Sequence, residues 1–151
     1  METVEVKEGE YHITSDKARL DLHAIHEYLS QESYWAQNIP FDTVQKAVAG
    51  SLCFGVFHEN EQIGFARVIT DGAVFGYLAD VYILTPYRGK GLSKFLMRTI
   101  LAHPDLQGLR RLLLVTSDAH GLYRQFGFTD VPNPEKFMQR HNPDPYTKKE
   151  Q

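Results

Sequence analysis

Between Leu78 and Leu101 the chain reads LADVYILTPYRGKGLSKFLMRTIL, an extended apolar segment that runs through a basic, glycine-bearing turn into an amphipathic helix. Pro86 can neither continue a sheet ladder nor sit inside a helix, so the strand ends near Leu84. Leu92, Phe95, Leu96, Ile100 and Leu101 recur with helical period and Lys94 and Arg98 fall outside the stripe, so a helix covers Leu92 to Leu101 and stops at His103-Pro104. Gly89 and Gly91 let the backbone bend sharply and approach a ligand closely. The first N–H groups of the helix have no internal partner and lie at its positive dipole end. Arg88 and Lys90 add two cations, the first able to hold phosphate oxygens bidentately and the second a point charge. The turn from Arg88 through Gly89, Lys90, Gly91 and Leu92 to Ser93 is therefore a candidate phosphate or pyrophosphate cradle.

The elements around this unit follow from pattern. Residues 3 to 14 alternate loosely and read as a first strand broken near Gly9, and Ser15 or Asp16 can cap a helix over about 17 to 30 with Leu22, Ile25 and Leu29 inward. His23 and His26, three apart on this helix, invite a metal reading with Glu27, but two histidines on a solvated helix face explain them with fewer assumptions. Ser33 to Phe41 is an aromatic, proline-punctuated loop before a short helix at 42 to 49. Leu52 to His58, Ile63 to Thr70 and a strand from Ala73 form an antiparallel meander, with Asp71-Gly72 as a tight hairpin signal. Cys53 lies inside the first of these strands with no cue that would lower its thiol pKa, so it reads as core, and His58 reads as a solvated strand end. Leu109 to Val115 is a buried strand that the preceding helix allows to pair in parallel, giving a βαβ unit. A short helix over Ala119 to Gln125, closed by Gly127, precedes strands expected at 128 to 131 and 136 to 140, and the tail from Asn142 is expected to fray.

At 151 residues the chain fits a single domain, 1–151, with its core over about 10–141 and no internal linker. The pattern is an α/β layer with a central mixed sheet flanked by helices. A net charge of −3 gives no global attraction to nucleic acid, so any anion must be gripped locally. The single cysteine rules out an intrachain disulfide, and the acidic N-terminus and absence of a long apolar run give no targeting or membrane signal, so a cytoplasmic protein, monomer or homodimer, is expected.

The glycine turn lacks the spacing and Lys-Ser/Thr of a Walker loop, and Lys94 stands where a dinucleotide fingerprint needs its third glycine. What it resembles is the acyl-CoA pyrophosphate loop of the GNAT family of N-acetyltransferases, Arg/Gln-x-x-Gly-x-Gly/Ala, with Arg88, Gly91 and Ser93 at its fixed positions and Ser93 a small-for-small departure. Downstream, Leu122-Tyr123-Arg124-Gln125-Phe126-Gly127-Phe128 resembles that family's Leu-Tyr-x-x-x-Gly-Phe segment, with Ala119 where the family favours alanine.

The resemblance implies the acyl-CoA N-acyltransferase fold, acetyl-CoA as co-substrate, no metal, and direct attack of an amine of a small molecule or peptide on the acetyl carbonyl in a ternary complex. It implies backbone contacts to the pantetheine arm from Tyr82, Ile83 and Leu84, pyrophosphate at 88 to 93, and acceptor contacts from the aromatic loop, here Tyr34 and Trp35. It makes Tyr123 the candidate acid for the departing thiolate and Asp80 the candidate base or water-holder, with His120 as a fallback. Another acyl group or an oxygen acceptor, and a module that binds acyl-CoA without turnover, are the alternatives. The acceptor pocket is assembled from loops that vary freely, so the sequence does not name the acceptor.

Overall fold

The computed structural model describes residues 1–146. Six strands form one sheet in the order β1-β2-β3-β4-β5-β6: β1 (Glu5–Glu8), β2 (Tyr11–Thr14), β3 (Leu52–His58), β4 (Glu61–Thr70), β5 (Phe75–Ile83) and β6 (Arg111–Leu113). The first five are antiparallel neighbours and β6 runs parallel to β5, so the expected meander and βαβ unit are both present. The helices are α1 (Leu22–Glu27), α2 (Phe41–Ala49), α3 (Leu92–Leu101) and α4 (His120–Arg124).

Period-2 alternation divides the core in two. One face carries Phe54, Val56, Val68 and Leu78 against Phe95, Leu96, Met97 and Ile100 of α3. The opposite face carries Cys53, Phe65 and Tyr82 under α1 and α2, where Ile25, Leu29, Val44 and Val48 close over them. Cys53 is core, as expected, and burial pushes its thiol up to about 11, against the pull of Lys17 and Arg67.

Several expectations are corrected. The helix expected over 17 to 30 divides into a 3-10 turn at Lys17–Arg19 capped by Asp16, α1 capped by Asp21, and a π-helical turn at Tyr28–Glu32. Asp71-Gly72 does not make a two-residue hairpin, because the Asp71 carboxylate accepts N–H bonds from Ala73, Val74 and Phe75 and delays β5 to Phe75. Those bonds, led by that of Val74, hold the carboxyl below its usual range. His23 and His26 are fixed to the neighbouring segment: His23 stacks on Phe41 with ring centroids 4.5 Å apart, and His26 Nε2 donates to the Ile39 carbonyl at 3.0 Å. His58 joins Tyr11 and Tyr87 in an aromatic cluster.

The strands expected at 128 to 131 and 136 to 140 are absent. Pro132 and Pro134 fall between the two expected strands, each without an N–H to bond, and Pro134–Lys136 turns as a 3-10 segment. Phe137 nonetheless lies beside the sheet, its ring 5.0 Å from the Arg111 guanidinium carbon. The expected fraying beyond Asn142 reaches partly outside the described residues, but within them Tyr146 packs against the α1-side core.

Two irregularities place the site. β4 carries an extra residue at Ile63 opposite β3, and β5 carries one opposite β4 where Phe65 pairs with Tyr82 but Arg67 pairs with Ala79. Asp80 sits in this second bulge at φ 55°, a left-handed conformation that aspartate tolerates better than most residues. Bulges bend the strand that bears them, and β6 accordingly follows β5 only from Phe75 to Tyr77, as Arg111–Leu113 rather than the whole of 109 to 115. From Leu78 to Ile83, β5 pairs with β4 alone among the described residues, and the sheet is open along its other edge.

Candidate active site

The glycine turn stands at the mouth of this opening. Gly89 and Gly91 have φ values of 78° and 79°, and a Cβ at either would meet no atom within 4 Å, so the backbone conformation, not crowding, demands glycine there. Gly91 caps α3 without a side-chain bond, and the first intrahelical bond is made by the Phe95 N–H to the Gly91 carbonyl. The amides of Leu92, Ser93 and Lys94 are thus left for a ligand. They border a cavity of about 210 Å³ with Ile83, Tyr87, Arg88, Gly89, Gly91 and Leu122.

Arg88 is partly committed. Its Nε donates to the Ile83 carbonyl at 2.9 Å and its Nη2 to the Tyr28 hydroxyl at 3.1 Å. Of the three strand residues expected to meet a pantetheine arm, Leu84 spends its N–H on the Ile63 carbonyl and its carbonyl on the Tyr87 N–H. Tyr82 is buried, and its ring lies flat on Tyr28 at 3.8 Å. Burial, with Tyr28 next in effect, raises its phenol far above the ordinary range.

A second constellation lies on the α1 side of the sheet. Asp80 accepts from the Trp35 indole N–H at Oδ1 (2.8 Å) and from Arg67 Nε at Oδ2 (2.6 Å), while Arg67 Nη1 donates to Ser51 Oγ at 3.0 Å. The ion-paired side chains are 16% and 11% exposed, well sheltered from solvent screening. Tyr34 stands edge-on to Trp35, with ring centroids 5.0 Å apart, and its hydroxyl accepts the Ser117 N–H at 3.3 Å. The loop after the π-helical turn therefore reaches from the bulge of β5 to the segment beyond β6. Arg67 and Ser51 were not singled out from the sequence, although an arginine alternating with Phe65 in an otherwise apolar strand calls for a buried acidic partner.

Tyr123 lies on α4 with its ring buried edge-on to Phe128, centroids 5.7 Å apart. Burial, then Tyr34 and Asp118, push its phenol up to about 12. Tyr123 and the exposed His120 line a groove of about 680 Å³ along the free edge of β6, with Leu112, Leu114, Phe126 and Phe128. Among the described residues no strand pairs with β6 along this groove, and α4 separates it from the cavity at the turn, with Leu122 facing the turn. The structure thus brings Tyr34, Trp35 and Asp80 together, and Arg88 to Ser93 together; no hydrogen bond joins Asp80 to Tyr123 among the described residues. Nor do three or more His, Cys, Asp or Glu side chains converge as metal ligands, and no helix is long and apolar enough to cross a membrane, among those residues.

Residues 22–128 match the model of the acetyltransferase (GNAT) family. A solved structure from Xanthomonas campestris pv. campestris, described as a putative acetyltransferase belonging to that family, is 49% identical, covers 94% of this chain and 100% of its own, and superposes with a TM-score of 0.90. A curated protein of Gibberella zeae, named a putative acetyltransferase, is 34% identical over 145 residues, 81% of each chain. A GNAT family acetyltransferase from Elizabethkingia anophelis, solved with acetyl-CoA bound, shares the fold at 13% identity, with a TM-score of 0.61 over 81% of this chain and 78% of its own. The strand, glycine turn and helix that open the site all fall within the matched span, and the chain belongs to the acetyltransferase (GNAT) family.

Proposed function

We propose that this acetyltransferase binds acetyl-CoA with its pyrophosphate on the 88 to 93 turn and its pantetheine arm along the open edge of β5, and passes the acetyl group to an amine beneath the Tyr34-Trp35 loop. The observation that carries the reading is the conjunction of a free helix N-terminus, two left-handed glycines and two cations at the point where the sheet parts. The acetyl-CoA held by the Elizabethkingia anophelis relative supports it. The neutral amine nitrogen attacks the acetyl carbonyl carbon, the C–S bond breaks as the tetrahedral intermediate collapses, and the ammonium proton leaves through Asp80 or water.

The raised phenol of Tyr123 refines its role. A phenol near 12 is a weaker acid than a thiol near 8.5, so complete transfer to the thiolate is uphill by about 5 kcal/mol. A hydrogen bond from the phenol to the sulfur carries no such cost, and it strengthens as charge collects there. Tyr123 then acts as a donor to the departing sulfur and keeps its own proton. Asp80, with both carboxylate oxygens engaged by Trp35 and Arg67, receives the acceptor ammonium through its remaining lone pairs.

Arg88→Ala tests the turn. Affinity for CoA measured by calorimetry falls by about 1.5–3 kcal/mol, the value of a charge-assisted hydrogen bond, and the salt dependence of binding becomes shallower. Unchanged affinity removes the assignment. Trp35→Ala tests the acceptor side: the acceptor KM rises by roughly tenfold, as for one hydrogen bond to a charged group, while CoA affinity stays put. The opposite split would return Trp35 to a packing role.

A further inference from the structure

We infer that Tyr28 is a positioning residue for cofactor phosphate: it fixes one edge of the Arg88 guanidinium so that the other edge meets the pyrophosphate. The inference rests on the assignment of the 88 to 93 turn as the phosphate site. A guanidinium has five N–H donors in a rigid plane. The Ile83 carbonyl and the Tyr28 hydroxyl take one donor each, from Nε and Nη2, and these belong to the side edge of the plane. Both hydrogens of Nη1 and the second of Nη2 remain, which is the end-on fork suited to two phosphate oxygens.

Tyr28 is itself immobilised. Its buried ring is stacked on Tyr82 at 3.8 Å with the planes 8° apart, and it begins the π-helical turn, so its hydroxyl has little freedom to follow a moving arginine. Arg88 lines the turn cavity with Gly89, Gly91 and Ser93. An arginine held on one edge loses little further rotamer freedom when the other edge binds, and this is how a buried tyrosine outside the cradle raises affinity for an anion inside it. The sequence offered no sign of this, because Tyr28 lies 60 residues from Arg88.

Tyr28→Phe keeps the stacked ring and removes the hydroxyl. In the full chain, CoA affinity by calorimetry falls roughly tenfold, whereas competition by S-acetylpantetheine, which lacks the pyrophosphate, is unaltered. The double variant Tyr28→Phe/Arg88→Ala binds CoA no more weakly than Arg88→Ala alone, because the hydroxyl acts only through the arginine. Equal weakening of CoA and S-acetylpantetheine, or additive losses in the double variant, overturns the proposal in favour of a general packing role. If Arg88→Ala weakens CoA and Tyr28→Phe does not, the positioning role falls and the phosphate turn stands. If Arg88→Ala leaves CoA affinity unchanged, both fall.

Discussion

Tyr123→Phe lowers kcat by roughly 10²–10³-fold, as for the loss of one transition-state hydrogen-bond donor, while CoA affinity and melting temperature stay near those of the parent. The ring is buried against Phe128 and phenylalanine fills the same space, so packing survives the change. What is lost is a donor to a sulfur that bears charge only as the C–S bond breaks, and an interaction realised in the transition state appears in kcat and not in ground-state binding. With the phenol pushed up to about 12, the tyrosine remains protonated throughout the neutral and mildly alkaline range. Any loss of rate below pH 10 in the parent enzyme must then come from another group. Loss of binding in parallel with rate would make the hydroxyl a cofactor anchor, and a rate within a few-fold of the parent would leave the thiolate to water.

Arg67→Ala has the largest effect on stability, about 3 kcal/mol in denaturant unfolding, because it strands the Asp80 carboxylate in a sheltered site. The same side chain also holds Ser51, whose own hydroxyl donates to the Ala47 carbonyl at 2.6 Å, so the loss reaches the end of α2. Asp80→Asn is the complementary change. Asparagine accepts the left-handed backbone at position 80 at least as well as aspartate does, so the bulge persists, but Arg67 loses its counter-charge. A similar stability loss accompanied by a raised acceptor KM is the expected result. A stability loss with unaltered acceptor kinetics would make the pair purely structural.

Much of the scaffold was legible because its signals were local. Pro86, the paired glycines and the 3.6-residue stripe of α3 belong to one continuous stretch, and the parallel partner of β5 follows from the crossover it requires. The family resemblance rested on the same turn and on the segment around Tyr123, and the match over residues 22–128 agrees with it. The edges were less legible. The bulge at Asp80 leaves no periodic trace, yet it bends β5 and leaves β6 a short three-residue strand. At the C-terminus strands were expected at 128 to 131 and 136 to 140, but the prolines at 132 and 134 between them lack the N–H a ladder needs, and neither strand forms. In the site, residue types were readable and pairings were not: Trp35 with Asp80, Tyr34 with Ser117 and Arg88 with Tyr28 each join segments dozens of residues apart.

Backbone amide shifts during a titration with acetyl-CoA show directly where the cofactor lies. Saturable binding is expected in which the amides of Leu92, Ser93 and Lys94, unpaired at the start of α3, move furthest, followed by that of Ile83 on the open edge of β5. Shifts confined to the groove of Leu112, Leu114 and Phe126 along β6, with the glycine turn unmoved, would contradict it.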